Sequence, residues 1–221
     1  MGKKFLIIKL SSMGDVIHTL PIPYLIKKKF PDSEIDWIVE KLSFELVDSN
    51  SYVDNALLFP KEKLSKEFKK NKLEFFKDLK EYFKTIKAKN YDYALDFQGL
   101  FKSGILTYFS GANKRIGFKN GRELSPLFYN IKIEQNKKIH VIDRYIKLLS
   151  PFNIRKKEIK FDIEINEKSR NKINKVIEKN NINEKKIVIL HPFTSWKTKN
   201  WALSKYKKLA EKLISNFNSK K

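Results

Sequence analysis

The chain has 221 residues, 47 of them Lys or Arg against 25 Asp or Glu, giving a formal net charge of +22, and it has no cysteine. Zero cysteine excludes disulfides and thiolate metal sites and suits a reducing compartment; no apolar run approaches the roughly 20 residues of a membrane span, and the run after Met1-Gly-Lys-Lys is too short for a signal peptide and is broken by Lys9, so a cytoplasmic protein is expected. A field this positive attracts phospholipid headgroups, phosphorylated glycolipid or nucleic acid, although codon bias toward Lys, Asn and Ile explains scattered lysine equally well; with no zinc spacing, RNP-like motif or helix-turn-helix in view, membrane contact is favoured and nucleic acid is not.

Residues 5–8 are apolar without alternation, which predicts a parallel strand covered on both faces. Ser11, Ser12 and Gly14 then make a small, permissive turn into a helix, where a ligand can approach the main chain. That turn carries one carboxylate, Asp15. Spacing alone favours a helix N-cap for it. The other reading is a general base, kept ionised by amide donors at the helix start, and the two roles fit on different oxygens. Neither the Gly-x-Gly-x-x-Gly fingerprint nor a P-loop is present, so neither type of nucleotide site is favoured.

Further strands are expected near 35–39, 56–59, 93–97 and 114–118, alternating with helical stretches, the pattern of an α/β domain with a mostly parallel sheet. Between Lys61 and Lys89, apolar residues recur at a helical period with lysine on the other face, predicting one or two basic amphipathic helices. Packing on the sheet is the favoured account; the alternative is an interfacial element in which Lys63, Lys66, Lys69 and Lys70 meet anionic headgroups. A helix follows over 139–149. Residues 156–165 alternate through Ile159, Phe161, Ile163 and Ile165 and predict a strand closing the domain. Residues 168–180 read as a linking helix, 187–190 as a strand, and 203–214 as a last helix. One strand with one helix cannot make a sheet, so a chain truncated within a second domain is expected, divided as 1–166, 167–186 and 187–221.

The combination Lys9, Ser11 to Val16 and His18 to Pro21 resembles the amino-terminal signature of the lipopolysaccharide heptosyltransferases, glycosyltransferase family 9. Matching stretches follow in order: 30–40, 90–103 with Asp96, Gln98, Gly99 and Lys102, then 122–130, 140–144, and 190–201, the last similar to the first loop of the family's nucleotide-sugar domain. The family's later Asp-Thr/Ser-Gly-x-x-His motif has no counterpart here. The likeness is to the type I branch ahead of the type II branch.

The resemblance implies a GT-B-like fold, with one Rossmann-like doubly wound N-terminal domain that binds acceptor plus the first strand and helix of a second such domain. It implies inverting transfer of heptose from ADP-heptose to the Kdo of Kdo-lipid A, peripheral to the cytoplasmic face of the bacterial inner membrane, with neither metal nor cofactor. Asp15 would be the catalytic base. Gly14, Lys63, Lys66, Lys102, Arg122 and Arg144 would face the acceptor, and Ser11, Thr194, Ser195 and Lys199 the donor. Arginine is scarce here, which singles out Arg122 and Arg144 as planar donors for acidic groups; the alternative for each is an ordinary surface ion pair. A non-catalytic remnant that binds acidic glycolipid or membrane is the reading from a different class.

Overall fold

The computed structural model describes residues 2–136, 138–155, 158–182, 187–194 and 197–218. Its contacts divide into two units, Met1–Asn166 and Glu167–Lys221.

In the first unit the unbroken apolar runs become parallel strands. β1 (Lys4–Ile8), β2 (Glu34–Val39), β3 (Asn55–Leu58), β4 (Tyr93–Asp96), β5 (Lys114–Phe118) and β6 (Ile131–Ile133) lie in the order β3-β2-β1-β4-β5-β6. Every neighbouring pair is parallel. This is the doubly wound order, and its direction reverses between β1 and β4, so a crevice opens beyond the carboxyl ends of those two strands. The intervening helices are α1 (Met13–Thr19), α2 (Pro21–Lys29), α3 (Phe44–Asp48), α4 (Lys61–Lys70), α5 (Lys72–Lys87), α6 (Phe101–Phe109) and α7 (Val141–Lys147).

The two faces of β1 explain its lack of alternation. Phe5 and Ile7 enter a core with Trp37 and Leu95 that is roofed by Val16 of α1, Ile22 and Ile26 of α2, Val47 of α3 and Ile146 of α7. Leu6 and Ile8 point the other way, into a core closed by Leu64 of α4, Ile86 of α5 and Leu106 of α6. Each such side chain contributes roughly 1.5–3 kcal/mol by leaving water, so the register that puts Phe5 beside Ile35 and Tyr93 is fixed from both sides. The stretch 61–89 folds as two helices, separated at Asn71, whose side chain accepts from the Leu73 and Glu74 amides at 3.1 and 3.4 Å and so caps α5.

Two expected strands do not form. Residues 158–165 run as a strap, not a strand: Asp162 accepts from the Ser51 amide at 3.1 Å, Glu164 donates its amide to Ser49 O at 2.9 Å, and Glu158 pairs with Lys28 at 3.1 Å. Only Ile159 of the alternating set packs on the core, whereas Phe161, Ile163 and Ile165 stay exposed; the alternation follows a turn's surface instead of a sheet edge. In the second unit, residues 187–190 are likewise not a strand, and among its described residues there is no other strand to pair with. That unit holds α8 (Glu167–Lys179) and α9 (Leu203–Asn218), with Trp201 edge-on to Tyr206 at 5.1 Å. β6 was not anticipated.

Candidate functional site

A cleft of about 210 Å³ lies beyond the carboxyl ends of β1, β4 and β5, lined among others by Lys9, Asp15, Gln98, Arg122, Arg144 and Tyr145. Lys9 is the residue after β1 and is 3 % exposed. Its Nζ donates to Phe97 O at 3.2 Å, lies 3.8 Å from Asp15 Oδ2 and sits 5.4 Å over the Tyr145 ring. Burial lowers its pKa from the usual lysine value; Asp15 and Asp96 oppose that, while Arg144 and Arg122 add to it. The Lys9 carbonyl accepts from Trp37 Nε1 at 3.1 Å, which fixes the strand end that presents the ammonium.

Asp15 is not the N-cap. Ser12 occupies that position, and Asp15 is the third residue of α1, where its carboxylate faces the helix start. Its side-chain partners are the Ser12 hydroxyl, donating at 3.3 Å, and the Lys9 ammonium, in place of the amide donors expected from the sequence. With 45 % of its side chain exposed, the carboxylate can reach a ligand in the cleft.

The opposite wall is positioned by a buried carboxylate. Asp96, at the end of β4, accepts from the Gln98 and Gly99 amides at 2.8 and 2.9 Å and from the Tyr129 hydroxyl at 2.7 Å. Burial raises its pKa above the ordinary carboxylate value, and the bonds from Tyr129, Gly99, Ser103 and Gln98 offset only part of this. Gly99 has φ +66°, which a side chain would strain. Gly117 leaves the space that the Tyr129 ring fills; a Cβ there would lie 2.2 Å from the ring. Gln98 then reaches across the switch point, its Oε1 accepting from the Leu10 and Ser11 amides at 3.1 and 3.2 Å. Arg122 joins the same wall by donating its amide to Gly99 O at 2.9 Å.

Of the residues singled out from the sequence, Asp15, Arg122 and Arg144 meet in this cleft. Arg144 Nε is buried without a hydrogen-bond partner. Gly14 lies in α1 with nothing within 4 Å of a Cβ built on it, so it leaves open space and is not there for an unusual backbone. Ser11 contributes its amide to Gln98. Lys102 sits elsewhere, donating to Glu40 at 2.7 Å beside Lys61 at 2.8 Å. Lys63 and Lys66 line a separate cleft of about 790 Å³ with Glu40 and Lys61, and Lys63 ties α4 to α5 through Asp78. Thr194 and Lys199 belong to the second unit, where Thr194 N and Oγ1 both donate to Asn200 Oδ1 at 2.8 Å. Ser195 lies outside the described residues. Lys9, Gln98, Gln135 and Tyr145 were not assigned roles from the sequence, yet they line the cleft; a lysine interrupting an apolar strand end was the available signal for the first.

Three cations around one half-exposed carboxylate suit a ligand that carries both acidic groups and a hydroxyl. Residues 79–217 match the family model described as Glycosyltransferase family 9 (heptosyltransferase). The chain is 28% identical over 210 residues to the lipopolysaccharide core heptosyltransferase OpsX of Haemophilus influenzae, covering 94% of this chain and 56% of that protein. It is 30% identical over 150 residues to lipopolysaccharide heptosyltransferase 1 of Escherichia coli K12, covering 66% and 46%. Among solved structures it is similar to E. coli heptosyltransferase WaaC with ADP-2-deoxy-2-fluoro heptose, with TM-score 0.62 and 30% identity over 70% of this chain and 50% of that one. A glycosyl transferase family 9 protein from Veillonella parvula shares the fold, with TM-score 0.78 and 19% identity over 96% and 59%. The chain thus spans about half the length of the curated relatives it matches.

Proposed function

Because the chain belongs to glycosyltransferase family 9, the heptosyltransferases, we propose that it is the acceptor-binding part of an enzyme that moves heptose from ADP-heptose to the Kdo sugar of Kdo-lipid A. The observation that supports this reading best is the half-exposed Asp15 carboxylate, 3.8 Å from the Lys9 ammonium, in a switch-point cleft that Arg122 and Arg144 also line. Asp15 takes the proton from the attacking Kdo hydroxyl; that oxygen bonds to the anomeric carbon while the bond to ADP breaks on the opposite face, inverting the centre. The Lys9 ammonium, 3.8 Å from Asp15 Oδ2, helps to orient that carboxylate. Arg122 and Arg144 hold the acceptor's carboxylate and phosphates in bidentate fashion.

By the family resemblance Ser11 of the first unit is assigned to the donor, and so, within the second unit, are Thr194, Ser195 and Lys199, whose cation suits the charge that grows on a leaving diphosphate. Gly14, Lys63, Lys66 and Lys102 are assigned to the acceptor side. The scheme uses neither metal nor cofactor. The enzyme works at the cytoplasmic face of the inner membrane, its basic surface against anionic lipid.

The test is transfer of heptose to Kdo-lipid A with and without the Asp15→Ala change. Loss of turnover with retained glycolipid binding supports the base assignment, and unchanged turnover rejects it. A second reading, glycolipid binding without catalysis, is favoured by the lysine-rich α4 and α5 and would be supported by binding without any transfer from the unaltered chain. Preference for an acceptor that already carries heptose would instead favour the type II reaction.

A further inference from the structure

At the other end of the sheet from the cleft, a cavity of about 250 Å³ opens among the residues that begin the strands. Lys3 precedes β1, Tyr93 and Lys114 begin β4 and β5, Lys29 ends α2 with Phe30 after it, and Phe152 follows α7. Its walls are aromatic: Tyr93 and Phe30 stand edge-on to the buried Phe152 at 4.9 and 6.0 Å. Its charge is all of one sign. Lys3 Nζ lies 3.9 Å from the centre of the Phe30 ring and 5.9 Å from that of Tyr93, and Lys114 Nζ lies 5.5 Å from the same Tyr93 ring, so two ammonium groups from separate strands converge on one side chain. Lys29 brings a third. No carboxylate lines the cavity, and among the described residues none of the three lysines has an ion pair. Their neighbours differ: Lys4 pairs with Glu34 at 3.2 Å and Lys28 with Glu158 at 3.1 Å.

We propose that this cavity is an anion site that takes a small free anion built of phosphate groups, of the class of inorganic diphosphate. Codon bias accounts for scattered surface lysine, but not for three ammonium groups on one cavity while the carboxylates close by pair with other lysines. A ring face holds an ammonium group without neutralising it and leaves its N–H donors free. The three charges therefore stay available to a ligand and are held in place before it arrives. Lysine meets phosphate as a point charge, whereas a planar carboxylate is better matched by arginine, and no arginine lines the cavity. The volume lies below the roughly 300–1,000 Å³ of sites for drug-sized molecules, so it fits one or two phosphate groups and not a nucleotide. β1, β4 and β5 run from this cavity to the cleft, where Lys9, Phe97 and Phe118 stand at their other ends; the two sites do not overlap, and the proposal does not rest on the acceptor reading.

The experiment titrates inorganic diphosphate into the isotopically labelled chain at constant ionic strength and follows the backbone amide resonances of Lys4, Tyr93 and Arg115, which adjoin this cavity and not the cleft and are unaltered in every variant. Saturable shifts at these amides are expected. Lys3→Gln, Lys29→Gln and Lys114→Gln combined, all three side chains being exposed so that the fold is not at stake, are expected to weaken binding at least about tenfold. Lys69→Gln, Lys70→Gln and Lys72→Gln combined remove the same charge on α4 and α5 and should leave the affinity within about twofold. Shifts that do not saturate, or binding that survives the three changes in the cavity, overturn the proposal. So does an equal loss in the charge-matched variant, which would assign the anion to the net field of the chain. Vesicles of phosphatidic acid that shift the same amides while free diphosphate does not would make the ligand a lipid headgroup, and overturn it as well.

Discussion

Replacing Tyr129 with Phe isolates the bond on which one wall of the cleft rests. The hydroxyl donates to Asp96 Oδ2 at 2.7 Å, with Tyr129 4 % and Asp96 0 % exposed. The change removes no carbon, so no cavity opens against Gly117, and what is lost is a hydrogen bond to a buried charged acceptor. Such bonds are worth roughly 1.5–3 kcal/mol, which for a unit of this size corresponds to a drop of roughly 3–12 °C in its melting temperature. The pH dependence carries the sharper test. Burial holds the Asp96 pKa above the ordinary carboxylate value and the Tyr129 bond pulls it down, so that bond favours the ionised form. Its contribution is complete above the still higher Asp96 pKa of the variant, fades as pH falls from there and is gone below the parent's. Urea melts of both proteins at a series of pH values should therefore show a gap at neutral pH that narrows in acid. A gap that is flat with pH, or one below about 0.5 kcal/mol at neutral pH, refutes the claim that an ionised Asp96 is held by this hydroxyl.

Gly117→Ala would drive a methyl into the Tyr129 ring, 2.2 Å away; a loss of about 1–3 kcal/mol is expected in denaturant melts, and it should not add fully to Tyr129→Phe because the two share a contact. Gln98→Leu removes the acceptor for the Leu10 and Ser11 amides, and should cost about 1–3 kcal/mol together with a fall in glycan affinity measured by calorimetry. Glu40→Gln tests the lysine pair: burial by itself raises the Glu40 pKa, but the bonds from Lys102 and Lys61 outweigh it and the net shift is downward. Its stabilising contribution is present above the ordinary glutamate pKa and is lost as pH falls through the depressed one, so variant and parent should differ by on the order of 1 kcal/mol at neutral pH, both lysines being partly in solvent, and converge in acid. Asn71→Ala should lower stability by about 1 kcal/mol through loss of the α5 cap, seen as reduced helix content at the hairpin.

The central strands were legible because burial on both faces leaves a mark in the chain: β1 must be apolar at Phe5, Leu6, Ile7 and Ile8 alike. β6 left no such mark, being three residues long with none of them buried. The stretch 158–165 shows the converse, a period of two whose polar members are claimed by side chains and a turn, so local pattern was overridden by tertiary partners. Asp15, Arg122 and Arg144, which line one cleft, were singled out through the resemblance more than through spacing. The spacing argument placed Asp15 at a cap because carboxylates favour helix starts, but Ser12, three residues earlier, begins the helix. Lys9 and Gln98 were visible as residues but not as parts of a site, since what matters about them is reach: an ammonium that crosses from β1 to Phe97 O, and a carboxamide that crosses from β4 to the loop after β1. Contacts of that kind join residues nearly ninety apart in the chain, as Lys9 and Phe97 are at a separation of 88, and no local window contains both.

That carboxamide also has a mechanical meaning. Arg122 is fastened to Gly99, Gly99 and Gln98 to Asp96, and Gln98 to the backbone just ahead of α1, so the side of the cleft that carries Arg122 and the side that carries Asp15 are geared together. A molecule that pulls on the Arg122 segment displaces the Asp15 carboxylate as well, and substitutions in the 122–130 segment should therefore be felt at α1 on the far side of the cleft.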